Sequence, residues 1–348
     1  MRLYVLIMDD HISRSRTLEQ VLLLNEPNLQ ITYARSLDEG LALLHSSPDI
    51  ILLDIGMQGV DGASAIGNIK SKTTAPVMEI ANTSVQEATK AVNALSVGAV
   101  DYVRRQGSYQ EFAQTILQKI NVITENLTVE KQKEMSKKKH NLESTIEKTK
   151  IAQKRKAEKL VIIGASTGGP RALQRLFQDL PTDFNAPILI VQHMPSGFTK
   201  SLAERLNRFS TIDVKEAEDG EFIQEGKAYI APGNYHLCVK ANQYETKLQV
   251  ELQQGKDHLL HRPSVDVLFE SVARLHHVAK IAVILTGMGK DGQEGIKKLK
   301  QMDDETVVIA ESSETAIING MPKAATETNL VTEVVRLDQI GKALGNMM

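Results

Sequence analysis

The chain has 348 residues, of which 42% are apolar and 24% charged, with a formal net charge of −2. That length predicts two domains, and the near-neutral balance argues against a general nucleic-acid or membrane-surface role. The single cysteine, Cys238, excludes an internal disulfide and fits a reducing compartment. No apolar run approaches the ~20 residues of a membrane span. The opening M-R-L-Y-V-L-I-M-D-D is too short an apolar stretch for a signal peptide and meets two acids instead of a cleavage site. A cytoplasmic location without membrane insertion is the expectation.

In chain order, short apolar runs at 3–8, 29–33, 50–53, 77–81 and 99–103 alternate with helical patterns at 12–25, 37–46, 61–71 and 86–96, and a fifth helix starts near Ser108. This is the pattern of a five-stranded parallel, doubly wound sheet over residues 1–122, with ligands expected at the strand carboxyl ends. Residues 125–159 then hold eleven Lys or Arg against six Glu, with no aromatic, glycine or proline. A solvated, charged helical linker over 123–158 is predicted, extending the fifth helix. Ile123, Leu127, Met135, Leu142 and Ile146 hint at a short coiled coil without sustaining the heptads. A second α/β pattern, doubly wound and mostly parallel, covers 159–348. Its strands are predicted at 160–164, 188–192, 228–231, 281–285 and 307–310, with an antiparallel hairpin at 236–240 and 248–252.

Asp9 and Asp10 close the first predicted strand and Asp54 closes the third, so three carboxylates converge at one sheet edge. Like charges so placed raise one another's pKa unless a cation sits among them, and Mg²⁺ suits an all-oxygen site. Asp54 is then a nucleophile toward a phosphoryl donor. Over roughly residues 1–122 the chain resembles response-regulator receiver domains. The resemblance implies that Asp9, Asp10 and Asp54 hold Mg²⁺ and that Asp54 accepts phosphate from a histidine kinase. Two positions depart from the pattern. Ala81 falls where receivers carry Thr or Ser, and Arg105, followed by Gln106 instead of Pro, falls where they carry Lys. A shifted loop would bring in Thr83 as a substitute hydroxyl. These changes predict a weakened switch.

In the second half, L-V-I-I-G-A-S-T-G-G-P carries an apolar strand into a turn in which Gly164 and Gly168 bracket Ser166 as G-x-S-x-G. The run lacks the G-x-G-x-x-G spacing of a dinucleotide site. His193 ends the run P-I-L-I-V-Q, and Asp291 lies in L-T-G-M-G-K-D-G. A hydroxyl, an imidazole and a carboxylate at three strand ends form what a nucleophilic hydrolase needs: Ser166 to attack, His193 to move the proton and Asp291 to orient the imidazole. The glycine-rich turn before Asp291 offers backbone amides for a developing oxyanion.

Six motifs occur in order: I-G-A-S-T-G-G-P, V-Q-H-M-P, A-P-G-N-Y-H, H-R-P-S-V-D-V-L-F, L-T-G-M-G-K-D-G and G-M-P-K-A-A. With the receiver, they resemble the chemotaxis protein-glutamate methylesterase family over essentially the whole chain outside the linker. The resemblance implies the triad Ser166, His193 and Asp291, with the Met288 amide in the oxyanion hole and no cofactor for catalysis. It further implies hydrolysis of glutamate γ-methyl esters, and deamidation of glutamines, on methyl-accepting chemotaxis receptors. A receiver that packs over the cleft and restrains it until phosphorylated is also implied. Thr167, His236, His261 and Arg262 are candidate cleft residues, and Cys238 reads as inert core. The competing reading is a non-catalytic module that only binds receptors, beside a degenerate receiver.

Overall fold

The computed structural model describes residues 2–82, 84–137, 159–242, 247–255 and 261–348. In the first half, β1 (Leu3–Met8), α1 (Ile12–Asn25), β2 (Leu29–Ala34), α2 (Leu37–Leu43), β3 (Ile50–Asp54), α3 (Gly62–Lys70), β4 (Val77–Ala81), α4 (Val85–Val97), β5 (Asp101–Arg104) and α5 (Tyr109–Lys137) alternate strictly. All pairings are parallel in the order β2-β1-β3-β4-β5. β3 and β4 are buried along their whole length, which is why I-I-L-L-D and V-M-E-I-A do not alternate apolar with polar residues; Glu79, inside the second run, is buried with its neighbours. Ser36, Asp61 and Ser84 start helices by accepting the backbone N–H three residues on. β5 begins later than the run 99–103 predicts, because the Ala99 amide donates to Ala94 O and completes the end of α4.

The second half contains β6 (Lys159–Ala165), α6 (Gly169–Gln178), β7 (Ile188–Gln192), α7 (Phe198–Asn207), β8 (Asp213–Glu216), β9 (Lys227–Ile230), β10 (His236–Ala241), β11 (Leu248–Gln253), α8 (Val265–Ala273), β12 (Ala279–Ile284), α9 (Gln293–Met302), β13 (Val307–Glu311), α10 (Gly320–Glu327), β14 (Glu333–Val335) and α11 (Leu337–Asn346). Seven parallel strands lie in the order β14-β13-β12-β6-β7-β9-β8, and β10 and β11 form a separate antiparallel hairpin. The chain winds from β6 through β7 to one edge and returns through β12 on β6's other side. The carboxyl end of β6 is therefore the switch point where an open α/β sheet takes its ligand. The edge strands β8 and β14 escape sequence reading because they are short and mostly polar or exposed. α5 runs on past residue 122 to Lys137, in keeping with a helical extension; 138–158, and with them Leu142 and Ile146 of the coiled-coil expectation, lie outside the described residues. Thr83 also lies outside them.

The two halves touch along α4, β5 and α5 of the first and α6 and α7 of the second. Tyr102 stacks on Phe198 with ring centroids 4.8 Å apart, a contact of about 1 kcal/mol beyond its area burial. Arg205 Nη1 donates to Asn93 Oδ1 at 2.7 Å, and the Thr89 and Ser201 hydroxyls lie 3.1 Å apart. One apolar cluster runs through Ala88, Ala91 and Leu95 of α4 into Leu176, Phe198 and Leu202.

Candidate active site

Gly164 and Gly168 serve different ends. Gly164 is packed inside β6, where a Cβ would come 2.5 Å from Val265 Cγ1; Gly168 has φ +81° and starts α6. Between them, Ser166 stands at the tip of β6. Its amide donates to Thr286 O at 3.0 Å, and its carbonyl accepts from Gly169 N at 2.8 Å and from Gln192 Nε2 at 2.9 Å. A backbone held at both ends fixes where the hydroxyl points. Gly287 must also be glycine, since a Cβ there would lie 2.8 Å from Ser166 Cβ.

His193 follows β7, its amide bonded to Ala165 O at 3.0 Å, so the imidazole and the serine hang from adjacent strands. Its Nε2 lies 2.7 Å from Asp291 Oδ2, while Nδ1 is buried without a hydrogen-bond partner among the described residues. The His261 ring stacks on it, centroids 4.2 Å apart and planes 20° apart. Burial first, and the neighbouring His193 second, push His261 down to about 4, so it stays neutral at physiological pH. Asp291 is clasped at the start of α8: Val265 N donates to Oδ2 at 2.7 Å, and Ser264 Oγ and Asp266 N donate to Oδ1 at 2.9 Å each. Burial opposes its ionisation, but the His193 bond and these amides outweigh it and hold the carboxyl well below the usual range. Asp266 answers the other way. Burial raises its carboxyl, which accepts from Gly292 N at 2.9 Å and Gly295 N at 2.7 Å and so anchors the loop behind Asp291.

Ser166, Thr167, His193, His261 and Arg262 line one cavity of about 820 Å³, whose opposite wall is Arg104, Phe112 and Lys119 of the first half. Met288 follows Gly287 and packs, with Ile317, against the first half's apolar cluster, which Ile318 joins. His236 lies beneath, 1% exposed, and Cys238 is buried core. The sequence did not single out several supports. Thr286 receives Ile318 N at 2.9 Å on its hydroxyl, donates to Thr167 O at 2.9 Å, and offers its own amide to the buried Glu311 at 2.8 Å. Thr167 Oγ1 donates to Asp101 Oδ2 of the first half at 2.6 Å, and Lys119 also bonds Asp101. A glutamate and an aspartate in apolar runs (I-A-E, A-V-D-Y-V) were the only signal available for Glu311 and Asp101.

At the other sheet, Asp9, Asp10 and Asp54 do gather at the ends of β1 and β3. Arg105 lies between two of them, its Nη2 2.7 Å from Asp9 Oδ2 and 2.8 Å from Asp54 Oδ2. The remaining oxygens are largely committed: Asp9 Oδ1 accepts His11 N at 2.8 Å, Asp54 Oδ1 accepts Gly56 N at 2.8 Å, and Asp10 Oδ2 accepts Gln58 N at 2.9 Å. Among the described residues no three His, Cys, Asp or Glu side chains are arranged to hold a metal ion. With Arg105 in place the three carboxylates do not fit the Mg²⁺ that a receiver implies. Ala81, at the end of β4, is fully buried and brings no hydroxyl to the pocket.

Comparison with known proteins gives a consistent result. Residues 5–117 match the response regulator receiver domain family and residues 161–344 the CheB methylesterase family. A protein-glutamate methylesterase/protein-glutamine glutaminase of Halalkalibacterium halodurans is 38% identical over 350 residues, covering 99% of this chain and 97% of its own. The protein of the same name from Bacillus subtilis is 34% identical, covering 98% and 97%. The Thermotoga maritima CheB methylesterase catalytic domain superposes with a TM-score of 0.52 at 45% identity, covering 55% of this chain and 100% of that one. Among the described residues no helix is long and apolar enough to cross a membrane. The chain therefore belongs to the protein-glutamate methylesterase/protein-glutamine glutaminase family, with a response regulator receiver ahead of the methylesterase half.

Proposed function

We propose that this chain is a serine hydrolase that removes methyl groups from glutamate γ-methyl esters, and amide nitrogen from glutamines, on methyl-accepting chemotaxis receptors in the cytoplasm. The observation that carries it is the 2.7 Å bond to an ionised, amide-held Asp291 from Nε2 of His193, which lines the same cavity as Ser166. In this reading His193 Nδ1 faces the serine and takes its proton as Oγ attacks the ester carbonyl. Charge collects on the carbonyl oxygen, where the Met288 amide in the turn beside Ser166 is the donor. Methoxide is a poor leaving group, so the imidazolium returns the proton as the carbon–oxygen bond breaks, and methanol departs from an acyl-serine. Water, deprotonated by the same imidazole, then frees the glutamate and the serine. For a glutamine the leaving group is ammonia, by the same route. No step passes through the acidic pocket of the first half. There Asp54 is the proposed acceptor of a phosphoryl group from a histidine kinase, and Arg105 is its standing partner.

The receiver restrains this site through the Thr167–Asp101 bond, which ties the residue after the nucleophile to the start of β5. The test is methanol release from methylated receptor membranes by the purified full chain. Turnover is expected for the native protein, and Asp101→Ala is expected to raise it about fivefold by freeing Thr167. Absence of methanol refutes the reading; an unchanged or lower rate in the variant refutes the restraint.

A further inference from the structure

A receiver's acidic pocket ordinarily needs a mobile cation to hold its carboxylates together, and here the chain supplies one. We propose that Arg105 is the resident cation of the Asp9–Asp10–Asp54 pocket and that, with Arg105 in place, the chain takes up no Mg²⁺ there. This inference does not rest on the esterase reading.

One guanidinium nitrogen bridges Asp9 and Asp54 at 2.7 and 2.8 Å. Both carboxylates are almost wholly buried, at 1% and 2% side-chain exposure, and Arg105 itself is 13% exposed. A guanidinium is charged at any physiological pH, and here it sits between two buried carboxylates. Mg²⁺ demands near-octahedral oxygens at about 2.0–2.1 Å. To enter, it would have to break both Arg105 bonds and sit beside the displaced positive charge. Of the pocket's carboxylate oxygens, Asp10 Oδ1 is the one buried without a hydrogen bond among the described residues, and His11 Nε2 lies 3.8 Å from it. One carboxylate oxygen is too little to hold the ion. A lysine, as a single compact charge on a flexible stem, can withdraw and leave room; the planar guanidinium fills the gap between the two acids.

The position also has a structural consequence. Arg105 directly follows β5, whose first residue Asp101 receives the Thr167 hydroxyl. The same strand is thus pinned at one end to the acidic pocket and at the other to the residue beside Ser166. The pocket's cation and the contact over the cleft are both written into the chain and do not wait on an ion.

The test is isothermal titration of the full chain with MgCl₂ at constant ionic strength, paired with thermal melting by circular dichroism. The native protein is expected to show neither saturable heat nor a shift in melting temperature. Arg105→Ala, and separately Arg105→Gln, are expected to gain saturable one-equivalent Mg²⁺ binding that the native chain lacks, and adding Asp54→Asn should abolish it. One-equivalent binding by the native chain that Asp54→Asn removes would overturn the proposal, as would folded Arg105 variants that bind none. Should neither variant fold, the native titration alone decides.

Discussion

Replacing Ser166 by Ala is expected to lower methanol release from methylated receptors by roughly 10⁴–10⁶-fold, without lowering the melting temperature. The separation of the two effects follows from how the serine is held. Its amide and carbonyl make the bonds to Thr286, Gly169 and Gln192, and alanine keeps all three. Only the hydroxyl is lost, and with it the proposed attacking atom. What persists is the stabilisation of an oxyanion by backbone amides, which sustains a small rate above that of water. Turnover within about tenfold of native would return the chain to the reading of a non-catalytic receptor-binding module.

Asp291→Asn is expected to cost roughly 10³–10⁴-fold in kcat, with little change in KM. Among the described residues Asp291 accepts hydrogen bonds from His193, Val265 N, Ser264 Oγ and Asp266 N. An asparagine amide must turn its NH₂ either to His193 and Val265 or to Ser264 and Asp266, setting donor against donor in both cases. Facing His193, it forces the imidazole into the tautomer that cannot take the serine's proton. The sign of the stability effect is set by Asp291's depressed pKa, against which burial works and the His193 bond prevails. The stabilisation is present above the ordinary carboxylate range and lost as pH falls through the folded value. The Asp291→Asn variant should therefore melt lower than native at neutral pH and converge with it in acid. A variant that keeps native kcat, or that melts lower by the same amount at every pH, contradicts this account.

Much of the site was legible because strand ends in parallel sheets are read from unbroken apolar runs. The runs before Asp9, Asp54, Ser166 and His193 all become strands, and these residues stand at or just beyond their carboxyl ends. Six ordered motifs made the family unmistakable. What stayed hidden depends on contacts between distant segments. Ser264 and Asp266 sit inside a recognised motif, yet their bonds to and around Asp291 arise only when α8 abuts the β12 turn. Asp101 reads as one acid in a strand, and nothing local says that it meets Thr167 66 residues away. Arg105 was visible as a departure from lysine; its bridging of two carboxylates required the register of β1, β3 and β5 in one sheet. β8 and β14 were missed because both are short and only one of their residues, Val214, is buried.

Labelling the native chain with a fluorophosphonate and mapping the adduct by peptide mass spectrometry tests most directly whether one serine is activated by the imidazole and carboxylate beside it. A single adduct on Ser166, absent after His193→Ala, is the expected result; modification of another residue, or equal labelling of Ser166 without His193, would contradict it.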